Sequence, residues 1–235
     1  MTVETCSYTL SLGQKNVGLQ TVRTAVSGRN TTVASKTQFQ GVFGQQSLTQ
    51  TSELHTRTAE SLRYFEETEG KEGKRSLEVT FDARSGLVSA TRRSGSQTEH
   101  AETPLLLPYS DPLGLLHRLR SAAQNGTGES PTRMRIPLLG KDVTVTPLGT
   151  SEIETTLGPR RVVGFVLYPG PGYVYIGTEA PYAPLRLVQP TEHGPVEAFL
   201  TRRVQDDGIL NATETEARPA KRRRRGGRRR RRVES

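Results

Sequence analysis

The chain has 235 residues and a formal net charge of +9, with 33 Lys and Arg against 24 Asp and Glu. Residues 221–235 hold ten of these basic residues and only Glu234 among the acidic ones, so residues 1–220 carry 23 of each sign. This distribution excludes a fold that is basic throughout, and a partner recognised by charge must be sought through the C-terminal segment.

The composition favours a single β domain. Hydrophobic residues make up 32% of the chain and Trp is absent, which favours a sheet with one solvated face over a deep two-layered core. Cys6 is the only cysteine, so an intramolecular disulfide is excluded. The start, "MTVETCSYTLSLG", lacks the basic and apolar regions of a secretory signal, and no apolar run reaches about 18 residues. We therefore expect a cytoplasmic protein without a transmembrane segment.

The first elements along the chain are predicted strands. Tyr8, Leu10 and Leu12 alternate with polar residues, as in a half-buried strand. Turn residues at 13–16 and 27–30 separate this strand from a second one at 17–26 and a third that begins at Thr31. The order predicts an antiparallel meander.

The middle of the chain contains a predicted hairpin. Leu77, Val79 and Phe81 alternate with polar residues, and "DARSG" provides a turn before a second apolar run from Leu87. Residues 76–93 are therefore predicted to form two paired strands. Residues 94–104, "SGSQTEHAETP", have no apolar period and are predicted to be a loop.

One segment, residues 109–126, has the pattern of a helix. Ser110 or Asp111 can cap its start, Pro112 suits the first turn, and Asn125–Gly126 is a stop signal. One side is apolar and is expected to pack on a sheet, through Leu115, Leu116, Leu119 and Ala123. Arg118 and Arg120 are expected to face water.

The rest of the body is predicted to be β-rich. Candidate strands lie near 142–147, 151–157, 161–168, 172–178, 184–189 and 195–203, separated by turns that contain Gly and Pro. The prediction is a mainly β fold: a curved antiparallel sheet or half-barrel of about ten strands with one helix. The domain is assigned to residues 1–204, and residues 205–235 are predicted to be a disordered basic tail.

Five short motifs resemble a bacterial family of exported proteins classed as domain of unknown function 3108. They are "YTLSLGQKNVG", "LEVTFDARSG", "LPYSDPLGLLHRLR", "TPLGTSEIE" and "YVYIGTEAPYAPLRL", spread over residues 7–203. The resemblance implies a long curved sheet with a helix across its concave side, similar in outline to periplasmic lipoprotein carriers. It implies no chemistry and no catalytic residue. Members of this family usually begin with an export signal and do not usually end in polyarginine.

No motif for catalysis, metal binding or a cofactor emerges from the sequence. The four histidines are far apart, and "GTGES" at 126–130 lacks the Gly-Lys-Ser/Thr ending of a phosphate-binding loop. Glu66, Glu67 and Glu69 could hold a cation or act as acid and base, but nearby Lys71, Lys74 and Arg75 favour a solvated hairpin tip. We expect a non-enzymatic protein without cofactor or metal.

Aromatic residues cluster in the C-terminal third, and two interpretations compete. They could stack on nucleic-acid bases or belong to an apolar interior. The residues are Phe165, Tyr168, Tyr173, Tyr175, Tyr182 and Phe199. Because Tyr173 and Tyr175 alternate with Val174 and Ile176 and no Arg or Lys is interleaved between them, an apolar groove or a helix seat is favoured over a nucleic-acid surface. The candidate groove for an apolar ligand or lipoprotein segment consists of Val163, Phe165, Leu167 and Tyr175.

The arginine-rich segment predicts a polyanionic partner. Ten cations within twelve residues cannot be buried, and their forked guanidinium groups match phosphate oxygens. The predicted nucleic-acid-binding residues are Lys221, Arg222, Arg223, Arg224, Arg225, Arg228, Arg229, Arg230, Arg231 and Arg232. RNA is favoured over DNA, with an anionic membrane surface and an apolar ligand of the sheet as alternative partners. A segment that only raises solubility and has no partner is a further alternative.

Overall fold

A computed structural model describes residues 1–126, 133–138 and 140–206. The described residues form fourteen strands, one α-helix and a short 3-10 turn at Gly41–Phe43. The first eight strands are β1 (Thr2–Leu12), β2 (Lys15–Ser27), β3 (Asn30–Phe39), β4 (Gln46–His55), β5 (Ser61–Gly70), β6 (Gly73–Asp82), β7 (Leu87–Ser94) and β8 (Gln97–Pro104). Then come α1 (Pro112–Gln124), β9 (Met134–Leu138), β10 (Lys141–Ile153), β11 (Arg160–Tyr168), β12 (Gly172–Gly177), β13 (Pro184–Thr191) and β14 (Gly194–Asp206).

All fourteen strands belong to one antiparallel sheet. Its order is β8-β7-β6-β5-β4-β3-β2-β1-β14-β13-β12-β11-β10-β9. Two meanders are thus joined where the first strand pairs with the last, and β8 and β9 are the two edges of a sheet that does not close into a barrel. The predicted fold class, mainly β with one helix, is confirmed.

The sheet must curve strongly around α1. This helix contacts both β4 and β12, which are six strands apart in the sheet order. In a flat sheet these strands would be about 29 Å apart, whereas a helix is about 10–12 Å wide. We call the face that meets α1 the inner face and the opposite one the outer face. Cys6, Tyr8 and Leu10 of β1 are buried and define the inner face there.

The described residues contain fourteen strands, more than the ten or so that the sequence predicts. Residues 94–104 were predicted to be a loop, but residues 97–104 form β8, which pairs with β7 along its whole length. Every residue of β8 is exposed, so it lacks the apolar alternation by which strands are recognised. The predicted strands at 142–147 and 151–157 merge into β10, whose register shifts between Pro147 and Gly149.

The last strand of the sheet is longer than predicted. β14 continues past the predicted domain boundary at 204, since Gln205 and Asp206 pair with Glu4 and Val3 of β1. The rest of the predicted disordered tail, residues 207–235, lies outside the described residues.

The helix prediction is confirmed. The Asp111 side chain accepts the backbone N–H groups of Leu113 and Gly114, and Pro112 is the first helical residue. The helix ends at Gln124, with Asn125 as its C-cap. The predicted apolar side is inward, because Leu115, Leu119 and Ala123 are buried.

The segment before α1 joins the two halves of the sheet. The Tyr109 ring lies 5.1 Å from the Phe81 ring of β6, and the Ser110 N–H donates to the Pro137 carbonyl of β9 at 3.1 Å. The Tyr109 hydroxyl also accepts the Gly140 N–H at 2.9 Å. Side chains from β6 and backbone from β9 thus hold the start of α1 in place.

Candidate functional site

The ten predicted nucleic-acid-binding residues, Lys221 to Arg232, lie outside the described residues. The described part of the chain ends before them, at Asp206 of β14. This strand lies in the middle of the sheet between β1 and β13.

The predicted apolar groove is divided between the two faces of the sheet. Val163 and Phe165 are 2% and 0% exposed and belong to a core cluster with Leu115 and Leu119 of α1. Leu167 packs against the same cluster. Tyr175 lies on the outer face, opposite Arg186 of β13. The helix thus occupies the space predicted for a ligand, and the carrier hypothesis stays a prediction that requires α1 to move.

A polar cavity of about 520 Å³ opens beside the end of β14. It lies between the C-terminal half of α1 and the inner face of β1, β2 and β14. Its lining includes Glu4, Thr24, Thr31, His117, Arg120, Gln124, Tyr182, Arg203 and Gln205. No motif in the sequence indicated this cavity, because its walls come from the first strands, the last strand and the helix, which are far apart in the sequence.

Glu4 is the central charged residue of this cavity. Its carboxylate oxygens contact the Arg120 Nη1 and the Arg203 Nε at 2.6 Å each. Arg120 also donates to the carbonyls of Tyr182 and Pro181, at 3.2 and 3.0 Å. The expectation that Arg120 faces water was therefore wrong, since its side chain is only 18% exposed. Sequence analysis could not find a carboxylate partner 116 residues away.

The two arginines determine the charge state of Glu4. Burial raises the pKa of its carboxyl, but hydrogen bonds and charges from Arg120 and Arg203 outweigh this effect and bring the pKa below its usual value. Glu4 is therefore ionised at neutral pH. The pair of arginines around one carboxylate leaves a positive excess at this side of the cavity.

His117 lines the same cavity from α1. Burial, with a smaller contribution from the Arg120 charge, lowers the pKa of its imidazole. The folded protein therefore binds fewer protons at His117 than the unfolded chain does just below pH 6.5. The free energy of unfolding should therefore decrease as the pH is lowered through that window. We expect His117→Gln to lower the pH dependence of urea unfolding between about pH 7 and 5. An unchanged slope in the variant would contradict burial of a neutral imidazole.

Asp111 is a second buried carboxylate, and it connects α1 to the sheet. It is 0% exposed. Its Oδ2 accepts the hydroxyls of Ser52 in β4 and Ser61 in β5, each at 2.6 Å, while Oδ1 caps the helix. Gly114 makes this close approach feasible, since a Cβ there would lie 2.9 Å from Ser61 Oγ. All the hydrogen bonds of this carboxylate are structural.

The acidic cluster near residue 66 lies in β5 and is held by several partners. Glu66 accepts the Tyr64 hydroxyl at 2.5 Å and the Gln50 amide at 3.0 Å, while Glu67 pairs with Lys74 at 2.8 Å. Burial, followed by the hydrogen bond to Glu66, raises the pKa of the Tyr64 hydroxyl far above its usual value. Over the part of the chain that the structure describes, no three His, Cys, Asp or Glu residues are grouped to hold a metal ion.

Arginine is interleaved with the aromatic residues after all. Arg186 of β13 lies between Tyr175 of β12 and Phe199 of β14, with its guanidinium carbon 5.6 and 5.3 Å from the two ring centroids. It also bonds to Glu197 at 2.6 Å. No Arg or Lys lies between Tyr173 and Tyr175 in the sequence, but strand pairing brings Arg186 beside the Tyr175 ring, so the argument that disfavoured a base-stacking surface does not hold in the folded protein.

The comparisons agree with this architecture. A family described as "Protein of unknown function (DUF3108)" matches residues 7–201. The chain belongs to the DUF3108 family. Its match covers the sheet and α1 but not the arginine-rich segment. No curated protein matches the chain.

A solved structure supports the fold. The DUF3108 chain is similar to a beta-barrel-like protein of domain of unknown function DUF1849 from Brucella abortus, with a TM-score of 0.59 and 11% identity. The match covers 88% of this chain and 99% of the other. At this identity the likeness concerns the fold alone. Among the described residues, no helix has both the length and the apolar character needed to cross a bilayer.

Proposed function

We propose that this protein is a non-enzymatic β scaffold that its arginine-rich segment, Lys221 to Arg232, tethers to nucleic acid without sequence specificity. The observation that carries the proposal is the separation of charge along the chain. Residues 1–220 are formally neutral, and the last fifteen residues hold the entire excess of +9. Nonspecific attraction to a polyanion such as a duplex is therefore expected to depend mainly on that segment.

The chemistry of the segment supports a phosphate partner. An unpaired guanidinium is too costly to bury, so ten neighbouring cations stay in water until anions neutralise them. Each guanidinium can donate two parallel hydrogen bonds to a phosphate, which an ammonium cannot do. A duplex offers one phosphate charge per roughly 1.7 Å, so most of these side chains can find a phosphate at once.

The described fold supports the proposal in a second way. The most buried charged groups have partners within the protein: Glu4 binds two arginines, and Asp111 binds hydroxyl and backbone donors. These groups hold the fold together and are not free to recruit a charged partner. The basic segment begins fifteen residues after the end of β14 in the sequence, so binding of a polyanion there does not require the sheet to change.

The salt dependence of duplex binding tests the proposal. With about six to nine phosphates contacted, log affinity against log salt should fall with a slope of roughly −5 to −8 for duplex DNA, because each contact releases counterions. Glutamine at Arg222 to Arg225 should remove nearly half of that slope. The measurement is fluorescence anisotropy of a labelled duplex at several salt concentrations.

The control is the full-length chain with glutamine at all ten basic positions from Lys221 to Arg232. This tail-neutral variant should lose duplex affinity by at least about a hundredfold at low salt. A tail-neutral variant that binds the duplex as tightly as the original chain would refute the proposal. Two duplexes of unrelated sequence should give the same affinity for the original chain.

A further inference from the structure

We propose that the outer face of β3, β2, β1, β14, β13 and β12 binds the bases of single-stranded nucleic acid, most readily RNA. The inference deepens the proposed tethering function and rests on it for the class of partner. It assigns a recognition surface to the β domain itself. The surface is defined by Leu19, Lys36, Tyr175, Arg186, Phe199 and Arg202.

Strand pairing arranges these residues in rows across the sheet. Thr9 of β1 is opposite both Leu19 of β2 and Phe199 of β14. Phe199 is opposite Arg186, which in turn is opposite Tyr175. Residues directly opposite each other in an antiparallel sheet share a face, and Thr9 points away from the buried Tyr8 and Leu10. The row therefore lies on the outer face, away from α1.

The end of this row formed by β12, β13 and β14 is aromatic and cationic. Tyr175, Arg186 and Phe199 are half-buried. Tyr175 packs against buried apolar residues, although all three lie on the side of the sheet that α1 does not cover. The guanidinium between two rings, bonded to Glu197, keeps both aromatic side chains in defined positions. Proteins that bind single strands use such rings as platforms for bases.

The other end of the row is a basic groove. An outer-face depression of about 460 Å³ over β2 and β3 is lined by Leu19, Arg23 and Lys36, and no acidic residue is part of its lining. Arg23 and Lys36 are exposed, and neither has an ion-pair partner among the described residues. Arg202 continues the basic character in the row that runs from Lys36 through Thr21 and Ser7.

Charge complementarity identifies the occupant. Within the described residues, the outer face of these six strands carries four cationic side chains and two carboxylates. The cations are Arg23, Lys36, Arg186 and Arg202, and the carboxylates are Glu197 and Asp206. An anion that also offers flat apolar rings fits a surface with cations at one end and aromatic rings at the other. Unpaired nucleotides have both properties, whereas the bases of a duplex are stacked on each other.

The dimensions of the surface suit a short strand. Six strands spaced by roughly 4.8 Å span about 24 Å, enough for a few extended nucleotides. The basic segment begins fifteen residues after Asp206, a distance of at most roughly 50 Å. The same nucleic acid can therefore contact both, and the tail would raise the local concentration of nucleic acid at the sheet.

The test uses the tail-neutral full-length variant, so that the sheet is measured without the arginines. Its probe is a labelled oligouridylate of about 20 nucleotides, compared with an RNA duplex of equal length, in low salt. We expect the single strand to bind at least tenfold more tightly than the duplex. Tyr175→Leu and Phe199→Leu, which remove the rings but keep apolar bulk, should each weaken binding roughly five- to a hundredfold.

Charge variants provide an independent readout if a ring variant folds poorly. Arg23→Gln with Lys36→Gln should lower the salt slope for the single strand by about 1.4, because each phosphate contact contributes about 0.7. The matched control is Arg92→Gln with Arg93→Gln, two exposed arginines of β7 that carry the same charge but lie outside the surface. The control should leave binding unchanged.

The outcomes separate the two proposals. If the tail-neutral variant does not prefer the single strand, or if the two charge pairs have equal effects, the outer face is not a binding surface. The tail proposal is then still judged by duplex binding of the original chain. If neutralising the tail leaves duplex binding intact, the tethering function fails, whereas a ring-dependent preference for the single strand would still support the sheet surface.

Discussion

Replacing Asp111 with alanine is expected to lower the free energy of unfolding by about 3–7 kcal/mol. The substitution removes the cap of α1 and leaves the hydroxyls of Ser52 and Ser61 without their acceptor, in a site where Asp111 itself is 0% exposed. Loss of a cap costs about 1 kcal/mol, and each buried donor left unpaired costs about 1–3 kcal/mol. Urea unfolding followed by far-UV circular dichroism measures the change.

Asparagine at the same position separates the two roles of Asp111. Its amide oxygen can still cap the helix, but its NH₂ group cannot accept the hydrogens that Oδ2 accepts from Ser52 and Ser61. We therefore expect Asp111→Asn to retain the cap but lose most of the stabilisation, about 2–6 kcal/mol. A loss below about 0.5 kcal/mol in the alanine variant would show that this carboxylate does not connect α1 to the sheet.

Glu4→Gln is expected to destabilise the fold by about 2–4 kcal/mol. Arg120 and Arg203, whose side chains are 18% and 25% exposed, share this carboxylate. Glutamine keeps a single neutral acceptor for two guanidinium groups, so partly buried positive charge is left uncompensated. The matched control is Glu152→Gln, an exposed carboxylate of β10, for which we expect less than about 0.5 kcal/mol. Chemical unfolding at pH 7 provides both values.

The difference in stability between the original chain and Glu4→Gln should depend on pH in a defined way. Since the pKa of Glu4 is lower in the folded protein than in the unfolded chain, its stabilising effect is complete above the unfolded pKa of about 4.5. The effect is lost as pH falls through the folded pKa. The stability difference between the original chain and Glu4→Gln should therefore be constant from pH 7 to about 5 and shrink below about 4.5. A difference that grows on acidification would contradict this ionised carboxylate.

The location of α1 and of the basic segment could be predicted from the sequence alone. Asp111, Pro112 and Asn125 mark the helix ends through local hydrogen bonding and backbone preference, which act over a few residues. Alternation at Leu77, Val79 and Phe81 likewise identifies β6, because one face of the strand is buried. The separation of charge between the body and the C-terminal segment can be found by counting residues alone.

Contacts between distant residues were decided only by the tertiary structure. β8 has no buried face to mark it, so only its pairing with β7 makes it a strand. Glu4 meets Arg203 across 199 residues because β1 and β14 pair in one particular register. The same sheet order places Arg186 between Tyr175 and Phe199. Periodicity assigns each residue to a face, but the neighbours on that face depend on register and strand order, which the sequence encodes only through the packing of the whole chain.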